Sequence, residues 1–153
     1  MLLAFEPHTG LRYGEVRQQR TAVDYAQFMK NLIEKHSPHI AYIRLVQDNL
    51  TTHTPGALYE VLPPAEACAL SQQFELHYTP QKGSWLHMAE SEFAALSTPC
   101  LDRRIAGVDT WRQEVLAWAT KRNHERKTVH WRFSQTDART KLQRHYQNVQ
   151  KFI

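Results

Sequence analysis

Residues 40–56 read IAYIRLVQDNLTTHTPG, and the fold turns on how this stretch is understood. The apolar run Ile40-Ala41-Tyr42-Ile43-Arg44-Leu45-Val46 predicts a buried strand. Asp48 and Asn49 stand just past its end, and His53 follows five residues after Asp48. In sheets covered by helices, chemistry collects at the carboxyl ends of strands. Read alone, however, Asp-Asn after a strand is ordinary turn chemistry, because both side chains bond the local backbone.

Working back from this stretch, Ser37-Pro38 ends a helix whose stripe is Tyr25, Phe28, Met29, Leu32 and Ile33, one full apolar face. Thr21 and Asp24 have capping-box spacing and open that helix. Earlier still, Leu2–Phe5, the turn Pro7-His8-Thr9-Gly10 and Leu11–Val16 predict a β-hairpin. The apolar and polar residues of its second arm are not sorted onto separate faces.

Working forward, Thr54 is expected to cap a short helix with Pro55 at its first position. Pro63-Pro64 breaks it and starts another helix through Cys68 to Gln72. Phe74, Leu76 and Tyr78 alternate with Glu75 and His77 and predict a half-buried strand. A loop over 79–84 leads to Leu86, Ala89, Phe93 and Leu96 at helical spacing, as far as Pro99. Gly107 and Asp109 introduce a helix with Val108, Trp111, Val115 and Trp118 on one side, running into the basic residues 121–127. A last helix is expected from about Thr136 to Tyr146. The order is an α/β pattern, with helices available for both faces of a mixed sheet.

With 153 residues, 42% hydrophobic and 22% charged, the chain fits one folded domain. A net charge of +4 and a pI near 9.2 suit a polyanionic partner without requiring one. Cys68 and Cys100 form no ligand or disulfide pattern and read as reduced thiols of an intracellular protein. The start MLLAF has no basic leader and reads as part of a strand, so no targeting or membrane segment is expected.

The residues that could carry chemistry are few. Glu90 borders the stripe set by Ala89 and Phe93, so a carboxylate there can point along the end of the sheet; the plain alternative is a first-turn Glu favoured by the helix dipole. Glu92 reads as solvated. Two carboxylates, one after a strand and one on a later helix, could share Mg²⁺ or Mn²⁺ through oxygen ligands. The nine histidines do not fall at zinc spacings. The run 121–127, with Trp131 between His130 and Arg132, could contact nucleic acid. No Gly-rich phosphate loop, G-x-S-x-G elbow or H-E-x-x-H is present.

Four blocks carry a resemblance: QDNLTTHTPGALYEVLPPAEA, FELHYTPQKGSWLHMAESEFAALS, CLDRRI and WRFSQTDARTKL. Together they resemble a bacterial insertion-sequence transposase of the mariner-related IS six-thirty family, within the DDE superfamily of endonucleases. The resemblance implies an RNase H-like mixed sheet flanked by helices, in which three acids hold two metal ions about 3.5–4 Å apart for phosphoryl transfer on DNA. Matched to this chain, the second acid is Asp48, supported by Asn49 and His53. The third is Glu90, with His87 where the family more usually has Asn. Lys82, Trp85, Lys121, Arg122, Arg126 and Lys127 are the DNA-binding candidates.

Neither Glu6 nor Glu15 matches the first acid, which in the family belongs to a strand upstream of the hairpin in sequence that lies centrally in the sheet, between the hairpin and the Asp48 strand. Residues 1–153 are therefore expected to be part of a DDE catalytic domain, without that strand and without the N-terminal helix-turn-helix region. Such a part would bind Mg²⁺ or Mn²⁺ weakly or as a single ion and would not cleave DNA alone. Expected partners are transposon-end and target DNA, and an upstream-encoded transposase fragment or the full-length enzyme. A cytoplasmic, nucleoid-associated location follows. The alternative is a non-catalytic module that binds DNA or pairs with the transposase.

Overall fold

The computed structural model describes residues 1–79, 87–97, 103–141 and 143. Strands β1 (Leu2–Glu6) and β2 (Leu11–Glu15) form the expected antiparallel hairpin, with Leu2 opposite Glu15 and Glu6 opposite Leu11. Its turn closes with the Gly10 N–H donating to the Glu6 carbonyl at 2.9 Å, and Gly10 takes a φ of 70°, a conformation glycine adopts without steric cost.

Helix α1 (Ala22–Asn31) begins with the predicted capping box: the Thr21 hydroxyl accepts from the Asp24 N–H, and the Asp24 carboxylate accepts from the Thr21 N–H. The helix widens into a π-helical turn over Leu32–His36. All five stripe residues are buried. Strand β3 (Ile43–Gln47) pairs in parallel with β4 (Phe74–Tyr78), and between them lie a 3₁₀ helix (Pro55–Glu60) and helix α2 (Pro64–Gln72). Helices α3 (Met88–Leu96), α4 (Val108–His124) and α5 (Gln135–Lys141) complete the described elements. The Thr54 side chain makes no capping hydrogen bond, although Pro55 does open the 3₁₀ helix. The predicted loop 79–84, Leu86, Cys100 and the end of the last helix lie largely or wholly outside the described residues, of which the loop retains only Thr79.

Two cores organise these elements. The first joins α1, the 3₁₀ helix and α2, through Tyr25, Phe28, Met29, Leu58 and Ala67, to Leu2, Ala4, Ile43, Leu45 and Leu76 from both strand pairs. The second joins Leu96, Val115, Trp118 and Ala119 to Val16, with Met1 and Leu3 against it. Successive strand residues point to opposite faces, so Leu2 and Ala4 enter one core while Leu3 enters the other. This accounts for the unsorted hairpin sequence: both faces carry apolar residues into a core, while the strands themselves stay partly exposed.

Two further expectations change. The anticipated single mixed sheet is, among the described residues, two separate two-stranded sheets, β1-β2 antiparallel and β3-β4 parallel. Both nevertheless pack on the same core around α1. The predicted buried strand over 40–46 is also shifted and less buried: it spans Ile43–Gln47, and Ile40, Tyr42 and Val46 are 43%, 53% and 51% exposed. Its buried face is only the Ile43, Leu45 and Gln47 side, so the apolar run overstated its burial. Among the described residues, no helix is long and apolar enough to cross a membrane.

Candidate active site

In the parallel pair, the Ile43 N–H donates to the Gln73 carbonyl at 2.7 Å and the Thr79 N–H to the Gln47 carbonyl at 2.9 Å. Backbone direction alternates along a strand, so Arg44 and Val46 turn their amides to the opposite edge of β3. There the His87 ring Nε2 donates to the Val46 carbonyl at 2.9 Å. His87 immediately precedes α3, and the Glu90 N–H donates to the His87 carbonyl at 3.0 Å. One hydrogen bond thus ties the start of α3 to the carboxyl end of β3. Asp48 lies two residues beyond Val46, and Glu90 lies three beyond His87.

Asp48 is held by its neighbours. Its Oδ1 lies 2.8 Å from His53 Nδ1; an ionised carboxylate only accepts, so this nitrogen carries the proton. The His53 ring stacks on Tyr25, with centroids 4.6 Å apart and planes 18° apart. Gln47, 6% exposed, reaches both: its Oε1 accepts from the Tyr25 hydroxyl at 2.7 Å, and its Nε2 donates to the His53 carbonyl at 2.9 Å. Burial pushes the Tyr25 phenol above its ordinary pKa, and the Gln47 bond offsets part of that. Asn49 and Glu90 are exposed.

The two carboxylates are oxygen donors, which suits a hard divalent ion that keeps waters and takes the rest of its shell from substrate phosphate. The fit stops there: among the described residues, no group of three or more His, Cys, Asp and Glu side chains is placed to hold a metal.

The basic candidates divide. Lys121, Arg126 and Lys127 are exposed. Arg122 is not free: its Nε and Nη2 grip Glu92 at 3.2 and 3.0 Å, and its guanidinium lies 5.6 Å from the Trp118 ring centre. Lys82 and Trp85 lie outside the described residues.

Glu92 is the clear correction. Expected in solvent, it is 1% exposed and is bound from both sides, by Arg122 and by the 1%-exposed Arg12. The signal was present: Glu92 is three residues after Ala89 and four before Leu96, which puts it on the buried stripe. Burial pushes its carboxyl up, but the Arg12 and Arg122 hydrogen bonds and charges outweigh this and hold it below the usual carboxylate range. Gln47 and Tyr25 also escaped the sequence reading, because nothing local distinguishes a bonded Gln or a stacked Tyr from a core-edge one. A separate cleft of about 270 Å³, lined in part by Tyr13, Phe28, His36 and Leu116, contains none of the predicted site residues.

The described elements therefore form a mixed α/β arrangement, with Asp48 just past a parallel strand and Glu90 on a helix tied to that strand. The family profile of DDE superfamily endonucleases matches residues 1–112, and the chain belongs to that family. Such domains are nucleases of the transposase type that act on DNA, typically with divalent metals. No curated protein and no solved structure matches the chain.

Proposed function

We propose that this chain is the Asp48- and Glu90-bearing part of a transposase catalytic domain of the mariner-related IS six-thirty insertion-sequence family. The observation that carries the reading is the His87–Val46 hydrogen bond, which supports Asp48 and Glu90 acting at one place. In this reading both carboxylates bind Mg²⁺ or Mn²⁺, and His53 orients Asp48 through the Nδ1–H bond while Asn49 stands beside it. His87 supports Glu90 through the first turn of α3. A bound divalent ion would neutralise charge on the scissile phosphate and favour attack by water or a DNA 3′-hydroxyl. Exposed Lys121, Arg126 and Lys127 would neutralise DNA backbone charge.

Two acids are assigned, and the family's chemistry uses a third. Glu6 accepts a hydrogen bond from Thr9 within the hairpin turn, and Glu15 pairs with Arg17 and Asn31, so neither is put forward for that role. We therefore infer that cleavage needs a carboxylate from a further strand, and that this chain alone binds metal weakly and does not cut DNA.

The test is Mn²⁺-dependent nicking of supercoiled DNA by the chain, with and without an added upstream segment carrying a strand that ends in Asp. Nicking is expected only with both pieces and is expected to vanish in Asp48→Ala and Glu90→Ala. Nicking that survives both substitutions overturns the assignment.

A further inference from the structure

We propose that Tyr25 and Gln47 are positioning residues for Asp48, acting through His53. The inference rests on reading Asp48 as a metal ligand and adds two residues to the set Asp48, Asn49 and His53.

A carboxylate at the end of a strand, 44% exposed at its side chain, has several rotamers open to it. Here one is selected. The His53 Nδ1–H bonds only Oδ1, and among the described residues Oδ2 is left for a cation. That selection works only if the imidazole is itself fixed in plane and in height. Tyr25 fixes the plane, because its ring lies nearly parallel to His53 at 4.6 Å. Gln47 fixes the height, because its Nε2 holds the His53 carbonyl while its Oε1 holds the Tyr25 hydroxyl. The amide therefore has a donor bond to one partner of the stack and an acceptor bond to the other, and it is itself buried. Tyr78 adds a longer bond to the same carbonyl, at 3.3 Å.

A turn after a strand needs none of this. The His53 N–H already closes the loop on the Leu50 carbonyl at 3.0 Å, and Asp and Asn can satisfy a turn by themselves. The extra contacts converge on His53, two bonds on its carbonyl and one stack on the ring that touches the carboxylate. Partners behind a metal ligand commonly change metal affinity by 10–100-fold.

The experiment uses the whole chain and Mn²⁺ as the probe, titrated calorimetrically, alongside the long-range ¹H–¹⁵N spectrum of the His53 ring. Asp48→Ala is expected to remove binding. Tyr25→Phe, which keeps the stack and loses the hydroxyl, and Gln47→Leu are each expected to weaken Mn²⁺ binding by roughly 10-fold. Both should also shift the His53 ring signals before metal is added. Leu62→Val, which loosens the same core without touching the loop's hydrogen bonds, should lower the melting temperature and leave Mn²⁺ affinity and the His53 signals unchanged. If Asp48→Ala removes binding but Tyr25→Phe and Gln47→Leu change neither affinity nor the ring signals, the inference is wrong and the metal assignment stands. Equal weakening by Leu62→Val reduces the effect to general stability and also overturns it. If wild type and Asp48→Ala bind alike, or wild type does not bind, the metal assignment itself fails and the inference fails with it.

Discussion

The guanidinium of Arg12, on the second strand of the hairpin, is joined to the carboxylate of Glu92, on α3, although 80 residues separate them in the chain. Each is 1% exposed, and Arg122 from α4 grips the same carboxylate. Arg12 also donates to the carbonyls of Gly10 and Lys127, and its guanidinium lies 4.8 Å from the Phe5 ring centre. One acid thus fastens three elements, and removing it leaves two cations short of a partner in a poorly solvated space. Glu92→Ala is expected to cost about 3–5 kcal/mol in urea unfolding. A cost below about 1 kcal/mol, the range of exposed pairs, would show that the cluster is solvated after all.

Glu90, two residues earlier, should behave in the opposite way. It is exposed in the first turn of α3, where a carboxylate gains only the helix-dipole term. Glu90→Ala is expected to cost less than about 1 kcal/mol. Thermal unfolding of both variants side by side checks the contrast, and it also establishes that any loss of metal binding in Glu90→Ala is not loss of fold.

Acid should expose the Glu92 cluster. The folded carboxyl titrates below its ordinary value of about 4.3. As the pH falls, the unfolded chain takes up its proton first, so stability is fully present above about pH 4.3 and is lost as the pH drops toward the folded value. Glu75 is held down to about 2 by Tyr42, Arg44 and His77, but these partners are exposed, and solvent screening leaves little of that shift as stability. The informative measurement is therefore the difference between wild type and Glu92→Gln, in which the variant should show the shallower loss as the pH falls below about 4.3.

Gly10 should tolerate no side chain. Its φ of 70° is strained for other residues, and a Cβ there would lie 2.8 Å from the backbone carbon and oxygen of Arg126. Backbone cannot swing aside as a flexible side chain can. Gly10→Ala is expected to destabilise by more than about 1 kcal/mol, measured by urea unfolding, and to disturb the amide signals of residues 126 and 127 as well as those of the hairpin.

Loss of the α1 cap should be milder and purely local. Thr21→Ala removes the acceptor of the Asp24 N–H bond at 3.1 Å, and about 1 kcal/mol of stability should go with it. Mn²⁺ affinity should not follow, because the substitution leaves the Tyr25 stack and the Gln47 bonds in place.

The elements that could be read from the chain alone are those whose signal is local. The stripe from Tyr25 to Ile33, the Thr21–Asp24 box, the hairpin turn at Gly10, the Pro64 helix start and the strand Phe74–Tyr78 all follow from spacing within about one or two turns, although Tyr78, expected on the buried side, is 42% exposed. So does the placing of Asp48 just past a strand and of Glu90 early in a helix. Burial within the site was harder to read. Glu92 lay on the buried stripe of α3, but a carboxylate is buried only when cations meet it, and Arg12 comes from the other end of the chain. The strand at Ile43–Gln47 looked buried throughout because its residues are apolar, while the described structure covers one face. The contacts of Gln47 and Tyr25 with His53 join the end of β3, α1 and the loop after Asp48, and no local spacing foretells them. Local periodicity determined the elements of this protein; contacts between residues tens of positions apart decided which charges are buried and which side chains hold Asp48, because the energy of burying a charge depends on partners that sequence spacing does not reveal.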